Sequence, residues 1–171
     1  MMAMDWKKYF KGKKVTQMGL GLLGRGVGDA AFLAECGAKL IVTDLKTEEE
    51  LKPSLSKLRK YKNITYHLGG HRLEDFRDRN FILKAAGVAL DSPFIAEARR
   101  HRIPVEMDAS LFAKLAPKDI TIVGVTGTRG KTTTAVLTYE ILKSARKKVF
   151  LAGNIKDTAT LPLLKKVKSG D

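Results

Sequence analysis

Val15-Thr16-Gln17-Met18-Gly19-Leu20-Gly21-Leu22-Leu23-Gly24 is the stretch on which the fold turns. Val15 to Met18 reads as a brief strand that runs straight into G-x-G-x-x-G, and Asp29 to Cys36 follows as a helical segment stopped by Gly37. Leu40-Ile41-Val42-Thr43 is a second strand, and Asp44 ends it. Strand, glycine turn, helix, strand and acid in that order are the layout of a nucleotide-binding βαβ unit. Glycines let the main chain turn tightly and come close to a diphosphate, and a helix N-terminus favours negative charge. Without a ligand, the same residues make a tight turn with Asp44 as a strand-end cap.

Working outward, Thr47 and Glu50 form a capping-box pair that opens a helix towards Lys60. Ile64 to Leu68, Phe81 to Ala85 and Val105 to Met107 read as further strands. Ser92-Pro93 launches a helix over Phe94 to His101, and Ser110 to Leu115 is a shorter one. Ile120 to Val125 is the most apolar β-branched run and is predicted to be a fully buried strand. A helix over Lys131 to Ser144, a strand over Val149 to Ala152 and a helical segment over Leu161 to Val167 complete the pattern. Alternating strands and helices imply an α/β fold with a parallel sheet covered on both faces. The rhythm restarts near Pro104. We therefore divide the chain into a Rossmann-like unit, residues 1–103, and the beginning of a P-loop α/β unit, residues 104–171, too short to be a complete nucleotide-binding domain.

That second unit carries Gly124-Val125-Thr126-Gly127-Thr128-Arg129-Gly130-Lys131-Thr132 between an apolar strand and a helix. Gly-Lys-Thr at the start of a helix is phosphate-loop chemistry. Main-chain N–H groups would wrap a triphosphate, Lys131 would neutralise its outer charge, and the Thr132 hydroxyl would ligate Mg²⁺. The spacing is G-x-x-G-T-x-G-K-T, with Gly127 between the outer glycines.

Composition narrows the class. Hydrophobic residues at 44% and charged residues at 29% fit a globular chain and exclude disordered and collagen-like ones. The single Cys36 cannot form an internal bridge, and no apolar run approaches the ~20 residues of a membrane span, so a cytoplasmic address and no membrane partner are expected. The formal charge of +14 is spread along the chain, in short clusters such as Arg99-Arg100-His101-Arg102 and Arg146-Lys147-Lys148. It favours anionic ligands. Aromatics do not interleave with those clusters, so nucleic acid is disfavoured as a partner. His67, His71 and His101 lack metal-ligand spacing, and Glu74, Asp75 and Asp78 among Arg72, Arg77 and Arg79 read as a solvated face.

The phosphate-loop variant resembles that of the Mur ligase family, which includes folylpolyglutamate and cyanophycin synthetases. The GLGLLG loop, the strand ending in Asp44, Asp108-Ala109-Ser110-Leu111-Phe112 and Gly153-Asn154-Ile155 extend the likeness over about residues 10 to 160. It is nearest to the branch that adds D-glutamate to UDP-N-acetylmuramoyl-L-alanine in peptidoglycan precursor synthesis. The resemblance implies a monomeric enzyme in which the substrate carboxylate attacks the γ-phosphate of ATP and the amine captures the acyl phosphate. It further implies that Gly21, Leu22, Leu23, Asp44, Lys46 and Gly87 line a UDP-substrate site. Gly124, Gly127, Thr128, Arg129, Gly130, Lys131, Thr132 and Thr133 would hold ATP and Mg²⁺, with Lys131, Thr132 and Asn154 as the catalytic set and Asn154 also touching the muramoyl substrate. The chain departs from the family at Leu23 (a hydroxyl residue), Ala85-Ala86 (Ser-Pro), Arg129 (Asn) and Lys156 (Gly). These residues cover about the first third of such a ligase, so negligible turnover is expected of the 171 residues alone. Two other readings remain open here: a nicotinamide-dependent oxidoreductase domain, and a non-catalytic nucleotide- or nucleic-acid-binding module.

Overall fold

In chain order the elements are α1 (Trp6–Phe10), β1 (Lys14–Met18), α2 (Arg25–Glu35), β2 (Lys39–Asp44), α3 (Glu48–Ser56), β3 (Ile64–Leu68), β4 (Phe81–Lys84), α4 (Pro93–Arg100), β5 (Val105–Glu106), α5 (Asp108–Leu115) and α6 (Lys131–Ser144). Tight 3-10 turns lie at Leu73–Phe76 and Leu161–Lys165. The computed structural model describes residues 5–153, 155 and 158–170.

The five strands form one sheet in the order β3-β2-β1-β4-β5, with every ladder parallel. Parallel strands are buried on both faces, which is why Val15, Leu40, Val42, Ile82 and Leu83 are all sequestered from solvent. One face packs on Phe10 of α1 and on Val27, Phe32 and Leu33 of α2; Leu111 of α5 and Leu161 join the same cluster. The other face packs Met18 and Ile82 against Phe76 and against Ile95 and Ala98 of α4. The chain leaves β1 towards β2 on one side and returns to β4 on the other. That reversal opens a crevice beyond the carboxyl ends of β1 and β4, the place where open α/β sheets bind ligands.

Local signals account for most boundaries. Thr47 accepts from the Glu50 amide while Glu50 accepts from the Thr47 amide, the reciprocal cap expected for α3. Phe10 is fully buried, and the Trp6 indole N–H donates to the Leu164 carbonyl (2.9 Å), so α1 is anchored on the first sheet unit.

Several expectations do not hold. Ile120 to Val125 forms no strand, and Ile122 and Val123 are more than half exposed. Val149 to Ala152 forms none either. A strand exists only through a ladder partner, and among the described residues none lies beside these two runs. The following α6 forms where expected, but it buries no residue and leaves Leu137 and Ile141 exposed. The division at residue 104 would give β5 to the second unit, whereas β5 pairs with β4 and is an edge of the first sheet. Residues 158–166 also return to the first unit: Leu161 and Leu164 are buried there, and the segment 161–165 is a 3-10 turn rather than a helix. Asp75 is not on a solvated face; it is buried and its Oδ2 lies 2.6 Å from His67 Nδ1.

Candidate functional site

The crevice is a cavity of about 370 Å³ beneath the glycine loop. One wall is the Gly19–Leu23 loop and the first turn of α2; the other is the strand end Leu83–Lys84 with the Ala85–Gly87 turn. Asp29 and Asp108 also contribute to the lining.

The loop is held by three side chains from neighbouring elements. Asp44, at the end of β2, accepts from the amides of Leu20 (2.8 Å) and Gly21 (3.1 Å) through Oδ2 and from the amide of Lys46 (3.0 Å) through Oδ1. Gln17 of β1 donates through Nε2 to the Gly26 carbonyl (2.8 Å), and Ser54 of α3 donates to the Gly21 carbonyl (2.8 Å). With those bonds made, the amides of Leu22, Leu23 and Gly24 meet no acceptor among the described residues. They stand at the N-terminus of α2, with Leu22 and Leu23 about half exposed. Free N–H groups at a helix start are an anion-binding arrangement.

At the back of the cavity Asp29 is 3% exposed and accepts from the Leu161 amide (2.9 Å). Burial pushes its carboxyl up to about 7; Asp108 on α5 adds to the rise, while the Leu161 amide and Arg25 oppose it. Asp108 accepts from the Thr160 hydroxyl (2.7 Å) and lies 3.6 Å from Arg25 Nε. These bonds tie residues 160 and 161 to the lining of the pocket.

Of the residues expected at the substrate site, Gly21, Leu22, Leu23, Asp44 and Gly87 line this cavity. Lys46 does not; its Nζ lies 3.6 Å from Glu50. Arg25, Asp29, Lys84 and Asp108 line it as well; Asp108 lies in a stretch that carries the family resemblance, and none of the four is expected at the site from the sequence. A lysine within a strand and an aspartate within a helix carry no local signal of where the fold will put them.

The second loop is separate and open. Gly124 and Gly127 to Thr133 are all exposed. Gly130 takes φ 76 as the residue before α6, a left-handed conformation suited to glycine. Lys131 Nζ donates to the carbonyls of Gly127 (2.6 Å) and Thr128 (3.3 Å), folding back over the loop. An ammonium above a main-chain loop at a helix N-terminus suits the phosphates of ATP. For Mg²⁺ the Thr132 hydroxyl is one donor, and among the described residues no group of three His, Cys, Asp or Glu stands ready to hold a metal. Asn154, and with it the Lys156 departure, lies outside the described residues. Among the described residues no helix is long and apolar enough to cross a membrane.

Residues 13–106 match the Mur ligase MurD-like N-terminal domain, and residues 125–169 match the Mur ligase middle domain. UDP-N-acetylmuramoylalanine–D-glutamate ligase of Treponema pallidum (strain Nichols) is 41% identical over 145 residues, 84% of this chain and 27% of that protein. The enzyme of the same name from Borreliella burgdorferi (strain ZS7) is 42% identical over 139 residues, 81% of this chain and 30% of that protein. Among solved structures, UDP-N-acetylmuramate-alanine ligase MurC of Thermotoga maritima aligns with TM-score 0.48 at 23% identity, covering 87% of this chain and 35% of that one. The chain thus spans less than a third of the length of the curated relatives it matches. With more than half of its residues in the first of those domain matches, the chain belongs to the Mur ligase family.

Proposed function

We propose that the chain carries the UDP-substrate-binding domain and the beginning of the ATP-binding domain of a cytoplasmic ligase that joins D-glutamate to UDP-N-acetylmuramoyl-L-alanine through an acyl phosphate. The observation that carries this reading is the cavity at the carboxyl ends of β1 and β4, with Leu22 and Leu23, whose amide donors are unoccupied, in its lining and the unoccupied Gly24 amide next in the chain. Those amides, Gly87 opposite them and the start of α2 would receive the diphosphate. Asp44 acts through the loop: it fixes Leu20 and Gly21 so that the next three N–H groups stay free.

In the second domain the Gly127–Thr133 loop and Lys131 would take the phosphates of ATP, with the Lys131 ammonium exchanging its two carbonyl contacts for phosphate oxygens. Holding charge beside the reacting phosphoryl group is the chief demand of phosphoryl transfer. The boundary between the two domains falls after α5, and residues 158–166 form a strap that returns from the second to the first.

The nicotinamide reading needs an acid at the end of β2 free to accept from a ribose hydroxyl. Asp44 has both oxygens engaged by main-chain N–H groups, which weighs against it. Thermal melting of the chain with UDP, UDP-N-acetylmuramoyl-L-alanine, NAD⁺ and Mg·ATP tests the assignment. Saturating UDP compounds are expected to raise Tm by several degrees, as ligands that bind only the folded state do. A rise with NAD⁺ and none with UDP compounds overturns it.

A further inference from the structure

Lys84 ends β4, a strand with neighbours on both sides, and is only 7% exposed. Its Nζ donates to the carbonyls of Ala85 (3.2 Å) and Val88 (3.0 Å), and no carboxylate meets it among the described residues. An ammonium carries three N–H donors, and taking it out of water costs several kcal/mol unless charge or hydrogen bonds compensate. Two neutral carbonyls leave one donor and the whole charge unmatched.

The other charged groups of the cavity already have partners. Asp44 is met by three amides, and Asp108 by Arg25 and the Thr160 hydroxyl. Asp29 is met by the Leu161 amide. The rest of the lining holds no serine or threonine hydroxyl and is dominated by glycine, alanine and leucine. Among the described residues, Lys84 is therefore the cation of this cavity that lacks a counter-charge. It sits beside the turn that closes against the glycine loop, where an added Cβ on Gly19 would come within 2.8 Å of the Ala85 side chain.

We propose that Lys84 is the residue by which this pocket selects a diphosphate: one ammonium staples the 85–88 turn and donates to the anion that enters between that turn and the glycine loop. The proposal rests on the nucleotide-pocket reading above. It differs from a purely structural role, in which Lys84 only fastens the turn, because a staple affects charged and uncharged ligands alike. A charge-assisted hydrogen bond is about twice as strong as a neutral one, so the effect falls on the diphosphate alone.

The test is calorimetric titration of the chain with UDP and with uridine, for the wild type, Lys84→Gln, Lys84→Met and Lys84→Arg. The wild type is expected to prefer UDP. Lys84→Gln and Lys84→Met should reduce that preference about tenfold or more while uridine affinity changes less than about threefold, and Lys84→Arg should keep most of it. An undiminished preference in Lys84→Gln overturns the proposal, as does an equal loss for both ligands. A wild type that does not discriminate UDP from uridine removes the underlying pocket reading itself. Should Lys84→Met fail to fold, Lys84→Gln retains an N–H donor for the turn. The wild-type Lys84 side-chain ¹⁵N signal gives a reading that needs no variant: it should move with UDP and not with uridine, and its indifference to UDP overturns the proposal.

Discussion

Gly26→Ala is expected to lower the stability of the chain by about 3 kcal/mol, near the upper end for an overpacked site. Gly26 lies in the first turn of α2, and an added Cβ would fall far inside contact distance of the Leu20 carbonyl oxygen and 3.2 Å from Gln17 Nε2. Neither neighbour is free to retreat. The peptide that carries the Leu20 carbonyl is pinned through the Gly21 amide to Asp44, and Gln17 Nε2 is bonded to the Gly26 carbonyl. For a domain of this size the loss corresponds to a fall in Tm of about 10 °C. UDP binding should fail with it, because the displaced loop no longer presents the Leu22–Gly24 amides. Gly87→Ala is the internal comparison: nothing lies within 4 Å of its added carbon, so its melting temperature should stay within about 1 °C of the parent. Equal melting of Gly26→Ala and the parent would show that the loop is not braced as described.

Asp29→Asn should stabilise the chain above pH 7, by several degrees in Tm. The buried Asp29 carboxyl ionises at about 7 in the folded chain and near its ordinary value of 3.8 in the unfolded one. Between those values the folded state holds a proton that the unfolded state has released. Stability therefore falls as pH rises through that window, and the contribution is complete only below it. Asparagine supplies the same acceptor to the Leu161 amide without carrying charge, so the penalty on the order of a few kcal/mol disappears at pH 8. The advantage of Asp29→Asn should shrink steadily towards pH 5. Arg25 on the same helix and Asp108 on α5 pull in opposite directions on this carboxyl, and both remain in the variant. Melting curves from pH 5 to 8 read the effect; a difference that does not depend on pH contradicts it.

Much of the first domain is legible because its signals are local. The glycine loop, the Thr47–Glu50 cap and the alternation of apolar runs with helical segments each specify an element from neighbours in sequence. Ile120 to Val125 has an equally clear pattern, but a strand is made by its ladder partner, and that partner is not within reach of local reading. Asp75 sits among arginines and reads as surface until the fold lays it under β1 and β3, where its carbonyl accepts from Thr16 and its carboxyl pairs with His67. The site divides in the same way. Leu22, Leu23, Asp44 and Gly87 follow from the loop motif and the resemblance, whereas Lys84, Asp29 and Asp108 become pocket residues only because β4, α2 and α5 converge on one crevice. Asp44 shows a subtler difference. The motif marks it as an acid facing ligand, yet its carboxylate is spent on the loop, and the free donors that result lie one to three residues further on.

On the proposed reading, the amides between Gly21 and α2, facing Gly87, receive a UDP diphosphate. Backbone ¹H–¹⁵N NMR of the chain during a UDP titration tests it most directly. The amide signals of Leu22, Leu23, Gly24 and Gly87 should shift the most, with those of Leu20 and Gly21, already bonded to Asp44, shifting less. Shifts confined to Gly127–Thr133, or no shifts at saturating UDP, would contradict it.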